Sequence, residues 1–388
     1  MKGKTTLVFT GDIGFDKYMD GKWDDEDLLS AEVLSFLKTA DHVITNVEGP
    51  LCTPQKADTK TGAEALLHSM DPKVADFLKR INSDIWNICN NHIMDCGPQG
   101  LSETLSLAVD LEAKTIGAGM NLQEASKPVI LEEAGGIGMF GVGYQRACRK
   151  ADENTPGCFS WSDLDLIQKR IAKIKKTCRW CIIVAHAGEE FTSLPSPYTR
   201  ERYKKYLSMG ADIVVAHHPH VPMNYEMVGE NKAIFYSLGN FVFDTDYQRS
   251  QYNTEKGLLL KIKFTPKEFF FEPMGLLIDR KCQRVRLGIL PKIFENIQEE
   301  DYQCLAPMST KVFIEATKRQ LKYLWPEKFE NATEEDFIKN FMEEKRSGRV
   351  PGETLDFQIL LPFAETFDQT KWDSCKLKNV KEYILEQK

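Results

Sequence analysis

The chain has 388 residues, 42% of them hydrophobic, with a formal net charge of −7. That length exceeds one ordinary domain and suits a large α/β unit plus an addition. The acidic balance argues against nucleic acid or an anionic membrane as main partner, since both need clustered Lys and Arg. It leaves room for an anionic substrate, small or polymeric, whose charge a metal neutralises locally.

The first apolar run, residues 7–9, is too short for a membrane span or a signal sequence, and no span is expected elsewhere. The expected location is cytoplasmic, unless an N-terminal anchor has been removed. Ten scattered cysteines read as reduced thiols in an enzyme-sized chain, not as a disulfide framework. Cys178 and Cys181 form a lone CxxC that precedes a strand instead of opening a helix, so the pair reads as structural.

In chain order, residues 5–10 (TTLVFT) form an apolar, β-branched strand running into Gly11-Asp12, whose carboxylate stands at the strand end. An acidic loop then leads to a helix over 27–39. A second strand, 42–45, closes on Asn46-Val47-Glu48-Gly49-Pro50. Residues 52–69 are polar and read as a long surface loop, the kind that often binds. A helix over 71–80 carries Pro72 at its first position. The third strand, 84–89, ends in Asn90-Asn91-His92, with Asp95 beyond, and Leu101, Leu105 and Ala108 give helical spacing over 98–111.

Residues 114–119 make a short strand and a turn; Gly117 and Gly119 lack the third glycine or lysine of a phosphate loop. Strands follow at 129–131 and 137–142, then a basic amphipathic helix with a solvated face at 164–176. The apolar strand 181–185 ends in His186-Ala187-Gly188-Glu189-Glu190. After a helix near 200–209, the strand 213–215 runs into His217, His218 and His220, so a crossover joins His186 to His218. A strand at 233–238 closes on Gly239-Asn240, and 258–264 pairs with 268–274 about Thr265-Pro266. Beyond about residue 291, Glu, Lys and aromatics dominate, with helices at 310–324 and 334–345. The expected division is a domain over 1–290 and a helical extension over 291–388. That extension covers the core or mediates self-association into a homo-oligomer.

Three of the seven histidines stand within four positions, and neutral imidazole is the commonest metal ligand. His218 and His220, one residue apart, point to the same side of an extended chain. Five strand ends carry Asp12; Asn46 and Glu48; Asn91 and His92; His186 and Glu189; and His217, His218 and His220. Parallel strands bring their carboxyl ends together, where open α/β sheets bind ligands. Nitrogen and oxygen donors without thiolate suit Mn²⁺, Fe²⁺ or Zn²⁺. Two such ions ~3.5–4 Å apart would hold the attacking and leaving oxygens and bring the pKa of a water toward ~7. Glu48 is the candidate bridging carboxylate, His92 the candidate acid for the leaving group, and Asp95 the residue to orient it. Glu189 either activates water or pairs with a nearby lysine. Asn46, His217 and Asn240 are candidate substrate contacts, with the core as the alternative for His217. Lys56, Lys60, Arg200 and Arg202 are candidates to meet an anionic polymer, although each is more often a solvated charge. His42 and His68 have no cluster around them and read as ordinary histidines.

The ordered series GD (Asp12), NVEGPL (Asn46, Glu48), NNHIMDCG (Asn91, His92, Asp95), HAGEE (His186, Glu189), GADIVVAHHPHV (His217, His218, His220) and YSLGNFVFD (Asn240) resembles the CapA family. These are capsule and poly-γ-glutamate synthesis proteins related to calcineurin-like metallophosphoesterases. The resemblance runs over about residues 8–244 and implies an α/β sandwich of two packed sheets with helices outside (αββα). It further implies metal ligation by Asp12, Glu48, Asn91, His186, His218 and His220, with His92 as the acid. Two departures stand out: Gly14 occupies the histidine position of the usual D-x-H motif, and Asn46-Val47-Glu48 replaces an aspartate motif. One imidazole is therefore missing, and the expectation is one ion held tightly and a second weakly. The implied activity is metal-dependent hydrolysis of a phosphoester or a γ-glutamyl amide, with the missing histidine favouring the amide or slow turnover. The alternative is a non-catalytic polymer-binding or assembly component of capsular polyglutamate synthesis or export.

Overall fold

Side-chain alternation of period two builds the architecture. In the strand Thr5–Gly14, Leu7 and Phe9 face one way and Val8 the other. Ile182 and Val184 oppose Ile183 in Trp180–His186, and Ile213 and Val215 oppose Val214 in Ile213–His217. Strands apolar on both faces must be covered on both faces. The computed structural model describes residues 3–53, 67–143, 148–333, 335–337, 339 and 357–388.

Two sheets result. The first runs in the order Arg284–Leu287, Phe269–Asp279, Lys256–Phe264, Thr5–Gly14, His42–Val47, Ser83–Asn87 and Lys114–Ile116. Its last four strands are parallel, while Lys256–Phe264 and Phe269–Asp279 form the expected antiparallel pair. The second sheet runs Tyr225–Met227, Ala233–Phe235, Ile213–His217, Trp180–His186, Ile137–Gly143 and Val129–Leu131. Leu7, Phe9, Ile44 and Ile85 of the first sheet meet Ile182, Val184, Ile213 and Val215 of the second in one buried layer. Each such side chain stabilises the sandwich by roughly 1.5–3 kcal/mol. On the outer faces, Val8, Val43 and Trp86 pack under Phe36, Phe77 and Leu101, and Ile183 and Val214 pack under Ile171 and Tyr203. The molecule is a two-sheet α/β sandwich flanked by helices, with a helical C-terminal region.

Several boundaries differ from the sequence expectation. The strand expected at 233–238 is shorter, Ala233–Phe235 in the second sheet, and a further strand that was not expected, Asn240–Phe243, crosses to pair with Thr5–Gly14. The helix expected over 27–39 is shorter, Ala31–Leu37, and that expected over 71–80 begins at Val74. The helix expected from Arg200 begins at Pro197, because Ser196 caps it by accepting from Thr199 N (3.2 Å). The expected segment 310–324 is the end of one 26-residue helix, Glu299–Leu324. Most of the expected helix at 334–345 lies outside the described residues. Cys178 and Cys181 are both buried. No helix among the described residues is long and apolar enough to cross a membrane.

The C-terminal helices Glu299–Leu324, Gln369–Ser374 and Lys378–Glu386 share a cluster containing Tyr302, Leu305, Trp372, Val380 and Tyr383. Leu194, from the segment after His186, is buried in the same cluster.

Candidate metal centre

The strand ends converge on one rim, but from two sheets instead of one. In the first sheet Asp12 lies opposite Asn46, and Asn46 opposite Asn87; in the second, His186 lies opposite His217. Pairing is interrupted between Phe9 and Asp12, and such a bulge re-aims the side chain that follows it. Beyond His217 the backbone turns sharply, with His218 at φ 96° and His220 at φ 58°. Left-handed backbone at non-glycine residues costs of order 1–3 kcal/mol each and clusters at functional sites.

Glu48 is the hub. It is fully buried, and its Oε1 lies 3.6 Å from His220 Nε2, 3.7 Å from His186 Nε2 and 4.0 Å from His92 Nε2. Among the described residues, neither Glu48 oxygen has a hydrogen-bond partner. Asp12, equally buried, is 3.3 Å from Nδ1 of both His217 and His220. Asn91 Oδ1 lies 2.7 Å from His186 Nε2. Two sets of potential ligand atoms, Asp12–Glu48–His186 and Glu48–His218–His220, each lie within 4.8 Å of one another and share Glu48. The donors are imidazole nitrogen and carboxylate or amide oxygen, a set that can hold a divalent transition metal.

The electrostatics of the side chains alone are unbalanced. Burial pushes the Glu48 carboxyl up and the His92 and His186 imidazoles down. For Asp12 burial also works upward, but contacts with His217 and His220 outweigh it and the carboxyl is lowered. Burial opposes a charge on His220, yet Glu48 and Asp12 win and push it up to about 10. A proton on such a ring stands in for the positive charge that a cation would bring.

Two amides expected to touch substrate contact candidate ligands instead. Asn46 Nδ2 donates to Asp12 Oδ1 (2.8 Å) and lies 3.2 Å from His186 Nδ1, while Asn46 Oδ1 accepts from Asn87 Nδ2 (2.7 Å). Asn240 Oδ1 is 3.0 Å from His220 Nδ1, and its Nδ2 donates to Gln248 Oε1 and Thr254 O. Such outer partners fix the orientation of a ligating ring. His217, also expected at the substrate, is 1% exposed and turned toward Asp12. His92 has the expected orientation, with Nδ1 2.7 Å from Asp95 Oδ2.

Other expectations fail. Among the described residues, Glu189 pairs with no lysine and turns to a helix start instead of the centre. Its oxygens accept from Ser196 N (2.9 Å) and Thr199 Oγ1 (2.8 Å), at the start of the helix Pro197–Ser208. Arg200 is a buried ion-pair residue and not a surface cation: it donates to Glu226 (2.8 and 2.6 Å) and to Glu299 (2.7 Å). Arg202 donates to the Tyr198 hydroxyl (2.8 Å). Lys56 and Lys60 lie outside the described residues.

The residue that sequence reasoning missed is His68. Its Nδ1 is 2.6 Å from Asp16 Oδ2, its backbone N donates to Asp95 Oδ2 (2.8 Å), and its ring stands edge-on to that of His92 with centroids 4.2 Å apart. Six of the seven histidines (68, 92, 186, 217, 218 and 220) thus gather here; His42 pairs elsewhere with Asp84 (2.5 Å). The structure also accounts for Gly14. A Cβ there would lie 2.7 Å from Cε2 of Phe243, whose ring packs edge-on against His68 and His220.

A family model described as bacterial capsule synthesis protein PGA_cap matches residues 6–245. The chain belongs to this family. The PGA biosynthesis protein CapA of Bacillus subtilis (strain 168) is 31% identical over 269 residues, covering 66% of this chain and 70% of that protein. The capsule biosynthesis protein CapA of Bacillus anthracis is 28% identical over 257 residues, covering 64% of this chain and 62% of the relative. Among solved structures, a purple acid phosphatase from yellow lupin seeds aligns at a TM-score of 0.31 and 9% identity, over 76% of this chain and 55% of its own. The range matched by the PGA_cap family holds every residue of the centre and ends before the C-terminal helices.

Proposed function

We propose that the chain is a metal-dependent hydrolase of capsule or poly-γ-glutamate metabolism, acting on a phosphoester or a γ-glutamyl amide bond. The observation that carries this reading is Glu48, a buried carboxylate with no hydrogen bond among the described residues and three imidazoles within 4.0 Å. Leaving a buried charge in that state costs several kcal/mol unless a cation shares the site.

Asp12, Glu48, Asn91, His186, His218 and His220 would hold the metal, with Glu48 common to two positions. With Gly14 in place of an imidazole, one of the two positions binds its ion weakly. A bound Mn²⁺, Fe²⁺ or Zn²⁺ supplies polarisation of the phosphoryl or carbonyl oxygen and a water of lowered pKa. The chain's own groups do the rest. Asn46 and Asn240 hold Asp12 and His220 in place. Asp95 accepts from His92 Nδ1. With the ring doubly protonated, a state that burial disfavours and an anionic substrate beside it would favour, Nε2 on the Glu48 side would hand a proton to the departing oxygen or nitrogen. The His92 side chain keeps 13% of its surface while Glu48 keeps none, so the imidazole lies between the centre and solvent. The same proposal divides the chain into a centre-bearing domain over 1–290 and a helical extension over 291–388.

Metal analysis of the purified protein, with assays on aryl phosphates and γ-glutamyl peptides, tests the reading. Bound transition metal and turnover are expected, and His92→Ala removes turnover while keeping the metal. The names of the relatives, both biosynthesis proteins, favour a second reading as a polymer-handling component. Tight binding of an anionic polymer without turnover, unchanged in His92→Ala, would select it.

A further inference from the structure

Two cysteines far apart in the sequence meet beside the centre. Cys52 Sγ lies 2.7 Å from Cys96 Sγ, across 44 residues of chain. That separation falls between the ~2.05 Å of a disulfide bond and ordinary van der Waals contact. Cys52 is 3% exposed, whereas Cys96 is partly open to solvent.

Their neighbours give the contact its meaning. Cys52 ends the segment that begins at Glu48, and Cys96 directly follows Asp95, the partner of His92. The first segment is also tied to the one carrying His68, through Cys52 N to Met70 O (3.0 Å) and Met70 N to Pro50 O (2.9 Å). A bond between the sulfurs would therefore close residues 52–96, which carry His68 and His92, into one ring that begins four residues after Glu48.

We propose that Cys52 and Cys96 form a reversible disulfide clasp at the edge of the centre, made by exchange with a low-molecular-weight disulfide. Cys96, the more accessible sulfur, loses its proton to solvent and attacks the small disulfide; one small thiolate leaves and takes up a proton. The Cys52 sulfur then attacks Cys96 in the mixed disulfide, and the second small thiolate departs with the proton that Cys52 gives up. Two protein thiols are oxidised and one small disulfide is reduced to two thiols. The cluster of Cys89, Cys148 and Cys158 is no competitor, because all three are at most 1% exposed and out of the oxidant's reach.

The folded protein is incubated with oxidised glutathione, alkylated, digested without reduction and mapped by mass spectrometry. The expected product is one cross-linked peptide pair containing Cys52 and Cys96, with the intact chain lighter by two hydrogens. Closing so long a loop constrains the unfolded chain, so the thermal midpoint rises by a few degrees and falls back with dithiothreitol. Cys96→Ser and, independently, Cys52→Ala remove the cross-link, while Cys282→Ser, at an exposed site, keeps it. Recovery of both cysteines alkylated, capture of Cys96 only as a glutathione adduct, or cross-links to other cysteines would overturn the proposal. None of these readouts needs metal or turnover, so the result is independent of the hydrolase reading.

Discussion

Asn240 is fully buried, and its amide is fully engaged, with Oδ1 on the His220 ring and Nδ2 on Gln248 and Thr254. Asn240→Ala therefore leaves His220 Nδ1 without that anchor, and metal affinity should drop by about 10–100-fold with the fold retained, read by metal titration. His92→Ala should instead lower turnover by about 10²–10⁴-fold at unchanged metal content, because its loss removes the proton donor and no ligand. Ligand candidates such as Asp12, His186 and His220 were legible in the sequence because each follows an apolar run that marks a strand end. His68 was not, since the mostly polar residues 52–69 around it read as a surface loop. The backbone pairing of Met70 with Pro50 and Cys52, with the His68 N–H bond to Asp95, carries it to His92. Asn46 and Asn240 were legible as site residues but misread as substrate contacts, because one sequence does not show which polar group lies on the next strand.

At the scale of elements, Arg200 joins three of them: its own helix Pro197–Ser208, Glu226 in the strand Tyr225–Met227, and Glu299 at the start of the helix Glu299–Leu324. Nothing near Arg200 in the sequence announces these partners, which is why it read as a surface charge. Removing one side of a buried pair leaves the other charge stranded, so Arg200→Ala should destabilise the protein by about 3–5 kcal/mol in denaturant unfolding. Glu299 makes a pH-dependent share of this junction. Hydrogen bonds from Gln303 and Arg200 lower its carboxyl to about 2, below its ordinary range. A carboxyl depressed in the folded state adds stability above the unfolded pKa and loses it as pH falls toward the folded one. The stability gap between wild type and Glu299→Gln should thus be full near neutral pH and narrow between about pH 4.5 and about 2. Its side chain is 57% exposed, so solvent screening keeps that gap small.

Across the whole molecule, apolar runs made the strands legible and the resemblance to the CapA family implied the two-sheet sandwich, but neither showed that the candidate ligands would come from opposing sheets. That arrangement has a mechanical consequence. Asp12 lies within a strand of the first sheet and Glu48 directly follows another, while His186 ends a strand of the second and His218 and His220 follow one. A cation gripped by all of them would join the two sheets at one rim, in addition to the apolar layer between them. A ligand that binds only the folded state stabilises it by about 4 kcal/mol at a thousand times its dissociation constant. In a chain of 388 residues this amounts to a rise of a few degrees in the unfolding midpoint. Treatment with a chelator should therefore lower the midpoint of the wild-type protein by a few degrees, and added Mn²⁺ or Zn²⁺ should restore it. Glu48→Ala removes the group shared by both ligand sets, so the midpoint of that variant should not respond to chelator or metal. A wild-type midpoint that ignores both would mean that the buried carboxylates and imidazoles balance one another without an ion, and the sheets would then be held by their apolar layer and by direct contacts across the rim such as Asn91 with His186.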